Sequence, residues 1–234
     1  MIIVIDGPAG SGKSSTARAV ADKLNLQYLD SGALYRTLTL LYIRAQEEGK
    51  EFFSLLHDQR ITFNYKDGAF YTFINEEDVS REIRSVKVSN HVSEVAAIPD
   101  SRKVVNQLMR EAVEKGGYYI AEGRDLGTAV FPDADLKFFM TADVEERARR
   151  RYKELKDDDM DVTFEEIKRN IEDRDRRDSN READPLRKAD DAIEINTSDV
   201  TFEQQVEIIC SRIKWELNIT TNWDPGEVLQ ISDN

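Results

Sequence analysis

Met1-Ile2-Ile3-Val4-Ile5-Asp6-Gly7-Pro8-Ala9-Gly10-Ser11-Gly12-Lys13-Ser14-Ser15 opens the chain and decides its fold. The apolar run over 1–5 is too short for a helix and stops at Asp6-Gly7-Pro8, so it reads as a strand buried on both faces of a parallel sheet. From Lys13 the spacing turns helical, with Ala17, Val20, Ala21 and Leu24 on one face. Between strand and helix, Gly7 to Ser14 fit the pattern G-x-x-x-x-G-K-[ST]. Glycines at those positions let the backbone curl until several N–H groups face one phosphate, and the helix N-terminus adds partial positive charge. Lys13 is placed to reach the β- and γ-phosphates of a nucleoside triphosphate, and Ser14 Oγ to ligate Mg²⁺. A glycine-rich turn that merely caps a helix is the bland alternative, and it does not account for the strand before it. Such a loop serves GTPases, motor ATPases and small-molecule kinases, so the acceptor stays open at this point.

The remaining chain repeats the alternation. Short apolar segments lie at 27–29, 118–121, 136–141 and 192–195. Helical patterns lie at about 33–48, 99–115, 143–156, 163–177 and 202–217, the last with Phe202, Val206, Ile209 and Ile213 on one face and a capping box from Thr201 and Gln204. Strands alternating with helices predict a parallel α/β sheet with right-handed crossovers. One segment differs. Over 60–80, Ile61-Thr62-Phe63-Asn64-Tyr65 and Ala69-Phe70-Tyr71-Thr72-Phe73-Ile74 flank Asp67-Gly68, which predicts a β-hairpin.

Composition narrows the function classes. The 234 residues carry 33 Lys+Arg and 46 Asp+Glu, a formal net charge of −13. Such a chain repels nucleic-acid polymers and anionic membranes. The single cysteine, Cys210, allows no intrachain disulfide, which fits a reducing compartment. The first residues lack the basic start of a signal peptide, and no apolar stretch approaches the roughly 18–20 residues of a membrane span. A cytoplasmic protein is expected. Acid concentrates at 157–161 and in the polar tail 218–234, which contains no Lys or Arg.

Four further stretches carry chemistry. They are Tyr28-Leu29-Asp30-Ser31-Gly32-Ala33-Leu34-Tyr35-Arg36, the run from Ser93 through Pro99 to Arg102 that reads as opening a helix, Glu122-Gly123-Arg124-Asp125-Leu126-Gly127-Thr128, and Arg174-Asp175-Arg176-Arg177-Asp178-Ser179-Asn180-Arg181. Phe164, Ile167, Ile171, Arg174, Asp178 and Arg181 share one helical stripe that begins apolar and ends ionic. Taken alone, that end could equally be a solvated face with internal Arg–Asp pairs. In order and spacing, these stretches and the phosphate loop resemble the bacterial cytidylate kinase family, from residue 2 to about 215.

The resemblance implies a five-stranded parallel P-loop kinase core over 1–31 and 81–217. It implies a monophosphate-binding region at about 32–98 carrying the antiparallel insert at 60–80, and a short lid at about 153–165. The implied reaction moves the γ-phosphoryl group of ATP, bound with Mg²⁺, to CMP or dCMP, with UMP or AMP as the competing acceptors. It implies ATP binding by Gly7, Pro8, Ala9, Gly10, Ser11, Gly12, Lys13, Ser14 and Ser15, with Ser14 on the metal. It implies acceptor binding by Ser31, Arg36, Ser93, Arg102, Arg124, Asp125, Arg174, Asp178 and Arg181. Catalytic charge falls to Lys13, Arg124, Arg174 and Arg181, and a monomer is expected. The residue chemistry agrees. Phosphoryl transfer needs positioning and charge neutralisation more than a base. Guanidinium forks suit phosphates. Cytosine, with a donor at N4 and acceptors at N3 and O2, asks for an acceptor beside a cation, which Ser93, Arg102 and Asp125 supply. Ser93 could also be a helix N-cap. His57 and His91, the only histidines, read as packing or surface residues. Arg147, Arg150 and Arg151 read either as adenine or phosphate contacts or as a solvated face paired to Glu145, Glu146 and Glu154.

Overall fold

The computed structural model describes residues 1–157 and 162–217. In chain order the elements are β1 (Ile2–Asp6), α1 (Lys13–Leu24), β2 (Gln27–Asp30), α2 (Ser31–Glu47), α3 (Phe52–His57), β3 (Ile61–Lys66), β4 (Ala69–Ile74), β5 (Glu77–Asp78), α4 (Val86–Ala97), α5 (Pro99–Val113), β6 (Tyr119–Glu122), β7 (Leu136–Thr141), α6 (Val144–Asp157), α7 (Phe164–Asn180), β8 (Ile193–Asn196) and α8 (Phe202–Glu216).

β1 is the centre of a five-stranded sheet with order β2-β6-β1-β7-β8, every pair parallel. Ile3 pairs Ile120 on one side and Leu136 on the other, and Ile3, Val4 and Ile5 have no exposed surface. This is why the opening run is apolar without alternation: helices cover both faces of the sheet. Each such buried aliphatic side chain contributes about 1.5–3 kcal/mol. The carboxyl ends of three strands meet at one crevice and carry buried acids, Asp6, Asp30 and Glu122. Ligands of open α/β sheets bind at that edge.

The predicted hairpin is β3 and β4, turning at Asp67 and Gly68, both with positive φ. β5 adds a third antiparallel strand. The insert is tied to the core, since Phe70 packs edge-on against Tyr28 and Tyr65 Oη donates to Asp22 of α1 at 2.5 Å.

Two features depart from the sequence reading. Ser93 does not open a helix: it lies inside α4, which Ser85 caps, and α4 ends at Ala97. Pro99 opens α5, because its fixed φ suits the first helical turn while it disfavours a helical residue before it. Phe202 is not on the buried face of α8 but 45% exposed in its first turn, while Val206, Ile209 and Ile213 are buried as expected. α7 has its capping box at Thr163 and Glu166. α6 and α7 flank residues 158–161. Most of the acidic run 157–161 and part of the expected lid, together with the tail 218–234, lie outside the described residues. Among the described residues no helix is long and apolar enough to cross a membrane.

Gly7 shows how tightly the loop is seated. Its φ is +148°, and a Cβ there would lie 2.0 Å from the Met140 carbonyl oxygen of β7. Relieving that clash requires moving a central strand. Gly7→Ala is therefore expected to destabilise the fold by more than about 3 kcal/mol. A urea melt checks this, and an unchanged midpoint would contradict the packing described.

Candidate functional site

The loop between β1 and α1 is built on its own carbonyls. Gly12, with φ +93°, caps α1 and lends no side chain to the helix terminus, so the first N–H groups of α1 are left for an anion. Lys13 is buried and folds back, its Nζ donating to Pro8 O at 2.7 Å and Ser11 Oγ at 3.3 Å. Burial, and next the positive charge of Arg124, push the Lys13 ammonium down to about 7. A phosphate oxygen would replace a neutral carbonyl with a full negative charge.

Behind the loop, α6 and the residue after β8 hold its backbone, and α8 packs against it. Arg147 of α6, only 4% exposed, donates to Ala9 O at 2.9 Å, to Ala142 O at 2.9 Å and to Asp175 of α7 at 2.6 Å. Thr197, just past β8, donates to Ser11 O at 3.1 Å, and Gln205 of α8 sits against Gly12. Arg147 thus does not lie on a solvated face: its guanidinium is held by the loop and by Asp175. Arg150 is held by Glu146 and Thr197, and Arg151 by Glu154.

In front of the loop, Ser14 Oγ donates to Glu122 Oε1 at 2.7 Å. Arg124 Nε donates to Asp178 Oδ2 at 3.2 Å. Arg174 Nε lies 4.0 Å from the same oxygen and has no hydrogen-bond partner although it is buried. Burial, with the charge of Arg124 next, pulls the Arg174 guanidinium down to about 10. Lys13, Arg124 and Arg174 therefore repel one another across one small volume, with Asp178 as shared counter-charge. A cluster of cations held this close, Lys13 buried and Arg124 and Arg174 part-exposed, suits an anion.

Ser31, at the start of α2, donates to Glu122 O at 2.9 Å. Arg36, one turn on, donates to Ser89 Oγ at 2.8 Å and Ile83 O at 3.2 Å, and burial lowers its pKa. Ser93 opens onto a cleft of about 550 Å³ between α4 and α7, together with Ala97, Arg177, Asp178 and Arg181. Behind the cleft's Arg181, Arg102 of α5 is 2% exposed, lies over the Tyr35 ring and ion-pairs with Asp125. Arg181, just past the end of α7, reaches Asp125 Oδ1 at 2.7 Å. Burial raises the Asp125 pKa against the opposing pull of these two arginines.

The structure thus brings Lys13, Arg124, Arg174 and Asp178 together, and sets Arg102, Asp125 and Arg181 beside them, linked through Asp178 and the Arg181 guanidinium at 3.9 Å. Sequence reasoning missed Glu122 as a partner of Ser14, Asp184 altogether, and the hold of Arg147 on the loop with Asp175 as its counter-ion. For Glu122 a signal existed, since it ends a buried strand at the ligand edge of the sheet.

Two neighbouring anion sites that share one bank of cations call for two phosphate-bearing substrates, which defines a P-loop kinase whose acceptor is itself phosphorylated. The family model described as cytidylate kinase matches residues 3–215, and the chain belongs to that family. It is 44% identical to a cytidylate kinase of Clostridioides difficile over 216 residues, covering 91% of this chain and 98% of that one. It is 45% identical to one from Streptococcus agalactiae over 212 residues, covering 88% and 92%. A solved structure from Thermus thermophilus shares the fold at 18% identity, with a TM-score of 0.50, covering 93% of this chain and 97% of that one.

Proposed function

We propose that the chain transfers the γ-phosphoryl group of ATP to CMP and dCMP, giving ADP and CDP or dCDP, by direct in-line displacement. The observation that carries this is the convergence of Arg124 and Arg174 on Asp178, a residue of the α4–α7 cleft, with Lys13 of the phosphate loop close enough to feel their charge. The moving group passes between two anions, so the largest demand is neutralisation of the charge on its equatorial oxygens. Lys13 exchanges its contact with Pro8 O for the β- and γ-phosphates. Arg124 and Arg174 turn from Asp178 toward the transferred group and the acceptor phosphate, and Arg36 and Arg181 hold that phosphate in line. The acceptor oxygen is already anionic at neutral pH, so no side chain need remove a proton. At the base, Asp125 accepts from cytosine N4 and Arg102 and Ser93 meet N3 and O2, while Asp178 faces the ribose and Arg174 bridges from there to the transferred group. Ser31 fixes the start of α2 beneath the nucleotide. All these residues come from one chain, so a monomer suffices.

Mg²⁺ fits the donors present. Ser14 Oγ and the Glu122 carboxylate lie together at the mouth of the loop, and both are hard oxygens. Mg²⁺ keeps several waters and needs only one or two protein oxygens besides substrate phosphates. Ser14 and Glu122 would hold it, and bound there it would screen the triphosphate charge. Arg147, Thr197 and Gln205 keep the loop rigid for either ligand.

ADP release measured with CMP, dCMP, UMP, AMP and shikimate as acceptors tests the assignment. Turnover is expected with CMP and dCMP, and weaker turnover with UMP, whose ring reverses the donor and acceptor at positions 4 and 3. A buried mismatched group costs about 1–3 kcal/mol, or roughly a 5- to 150-fold loss. Equal or greater turnover with AMP would overturn the cytosine reading.

A further inference from the structure

Behind Arg181 of the cleft, the cluster of Arg102, Asp125 and Arg181 has a fourth member, Asp184, three positions past Arg181 in the connection from α7 to β8. Its carboxylate Oδ2 accepts from Arg102 Nε at 2.9 Å, and its backbone carbonyl accepts from Arg181 Nε at 2.8 Å. Asp125 bridges the same two arginines through their Nη2 groups. The four residues close a ring in which each aspartate holds both arginines. Arg102 Nη1 also donates to Ala96 O at 3.2 Å.

Three of the five N–H groups of Arg102 are therefore committed, from three different directions. With Asp125 alone the guanidinium could pivot about one ion pair. The contact at Nε fixes its plane, and the remaining N–H groups on Nη1 and Nη2 then have one direction. Position 184 is shaped for this task. Its φ is +46°, a left-handed conformation that Asp and Asn tolerate better than other side chains. Leu186 N donates to Asp178 O at 2.8 Å, which pins the connection back onto α7. Asp184 also balances the ring: two arginines against two aspartates.

We propose that Asp184 is a positioning residue for base recognition, its carboxylate orienting Arg102 while its backbone carbonyl seats Arg181, without touching the nucleotide. This rests on reading Arg102 and Asp125 as the pair that meets cytosine. Its effect falls on the acceptor and not on the phosphate loop, because Asp184 contacts neither Lys13 nor the residues that hold Ala9 and Ser11.

The test is Asp184→Asn, which keeps the side-chain shape and the tolerance of a left-handed φ while removing the charge. Asp184 is 36% exposed, so water softens the loss. The KM for CMP is expected to rise about tenfold, which is about 1.4 kcal/mol. The CMP-over-UMP ratio of kcat/KM should fall by a similar factor, while the KM for ATP and kcat at saturating CMP stay within twofold. Asp125→Ala, assayed in parallel, separates the two levels. If Asp125→Ala leaves CMP kinetics unchanged, the base-site reading fails. If Asp125→Ala is impaired and Asp184→Asn matches the parent, the role of Asp184 alone is overturned. A lowered melting temperature with equal losses toward CMP, UMP and ATP would make Asp184 a structural residue and likewise overturn it.

Discussion

Replacing Lys13 by alanine is expected to lower kcat by roughly 10²–10³-fold, the cost of removing one preorganised charge partner of a transition state. Stability should move the other way or not at all. The Lys13 ammonium titrates at about 7 in the fold against an ordinary value of 10.5. The unfolded chain therefore holds that proton more tightly, and at neutral pH keeping Lys13 charged inside the loop costs stability. Alanine removes that cost. What it loses is the donation to Pro8 O and Ser11 Oγ, partners that other residues of the loop already hold in place. The expected signature is a severe loss of turnover with a melting temperature equal to or above that of the parent. Steady-state kinetics with both substrates saturating, and a thermal melt, check it. A kcat within threefold of the parent would remove Lys13 from the reaction.

That opposition between activity and stability recurs in how much of the molecule its sequence discloses. The phosphate loop was legible because its geometry restricts residue type: Gly7 faces a carbonyl that no Cβ can approach. The central strands were legible from their unbroken apolar runs, and the hairpin from Asp67-Gly68. α4 was not found, although Val88, Val92, Val95 and Ala96 are buried at helical spacing. Its valines favour strands when read locally, and the motif beginning at Ser93 drew the boundary inside it. Arg147 illustrates a different limit. In the Arg- and Glu-rich stretch 143–156 an arginine reads as solvated, and what buries this one is a carbonyl of the phosphate loop and a carboxylate on α7. Asp184 lies in a connection without periodicity, where only the fold reveals that it faces Arg102.

The net charge of −13 looked unfavourable for a host of polyanions. The resolution is local. Lys13, Arg36, Arg102, Arg124, Arg174 and Arg181 all lie at the carboxyl edge of the sheet or around the adjoining cleft, and Arg174 Nε is buried without a hydrogen-bond partner. Many other cations are paired on the surface with Glu or Asp, as Lys23 is with Glu207 and Lys168 with Glu145. The acidic exterior therefore argues against polymers of nucleotides and leaves a basic cleft for single ones.

Asp125→Ala should separate the two nucleotides most sharply. Both carboxylate oxygens of Asp125 hold arginines, Arg102 at 2% and Arg181 at 8% side-chain exposure. Removing one partner of a buried pair costs about 3–5 kcal/mol, because the other charge is left desolvated. Asp184 would retain part of Arg102, and Asp178 part of Arg181, so the ring would loosen and not collapse. The same substitution deletes the acceptor for cytosine N4. Together these are expected to lower kcat/KM for CMP by at least about 100-fold, or about 2.7 kcal/mol. The KM for ATP should change by less than threefold, because the loop is held by Arg147, Thr197 and Gln205, and none of them touches Asp125. Kinetics below the melting temperature of the variant keep the stability loss out of the comparison. A KM for ATP that rose in step with that for CMP would mean that the ring around Asp125 also sets the phosphate loop. Arg124, which reaches Asp178 from one side while its charge bears on Lys13 from the other, is the residue through which that coupling would run.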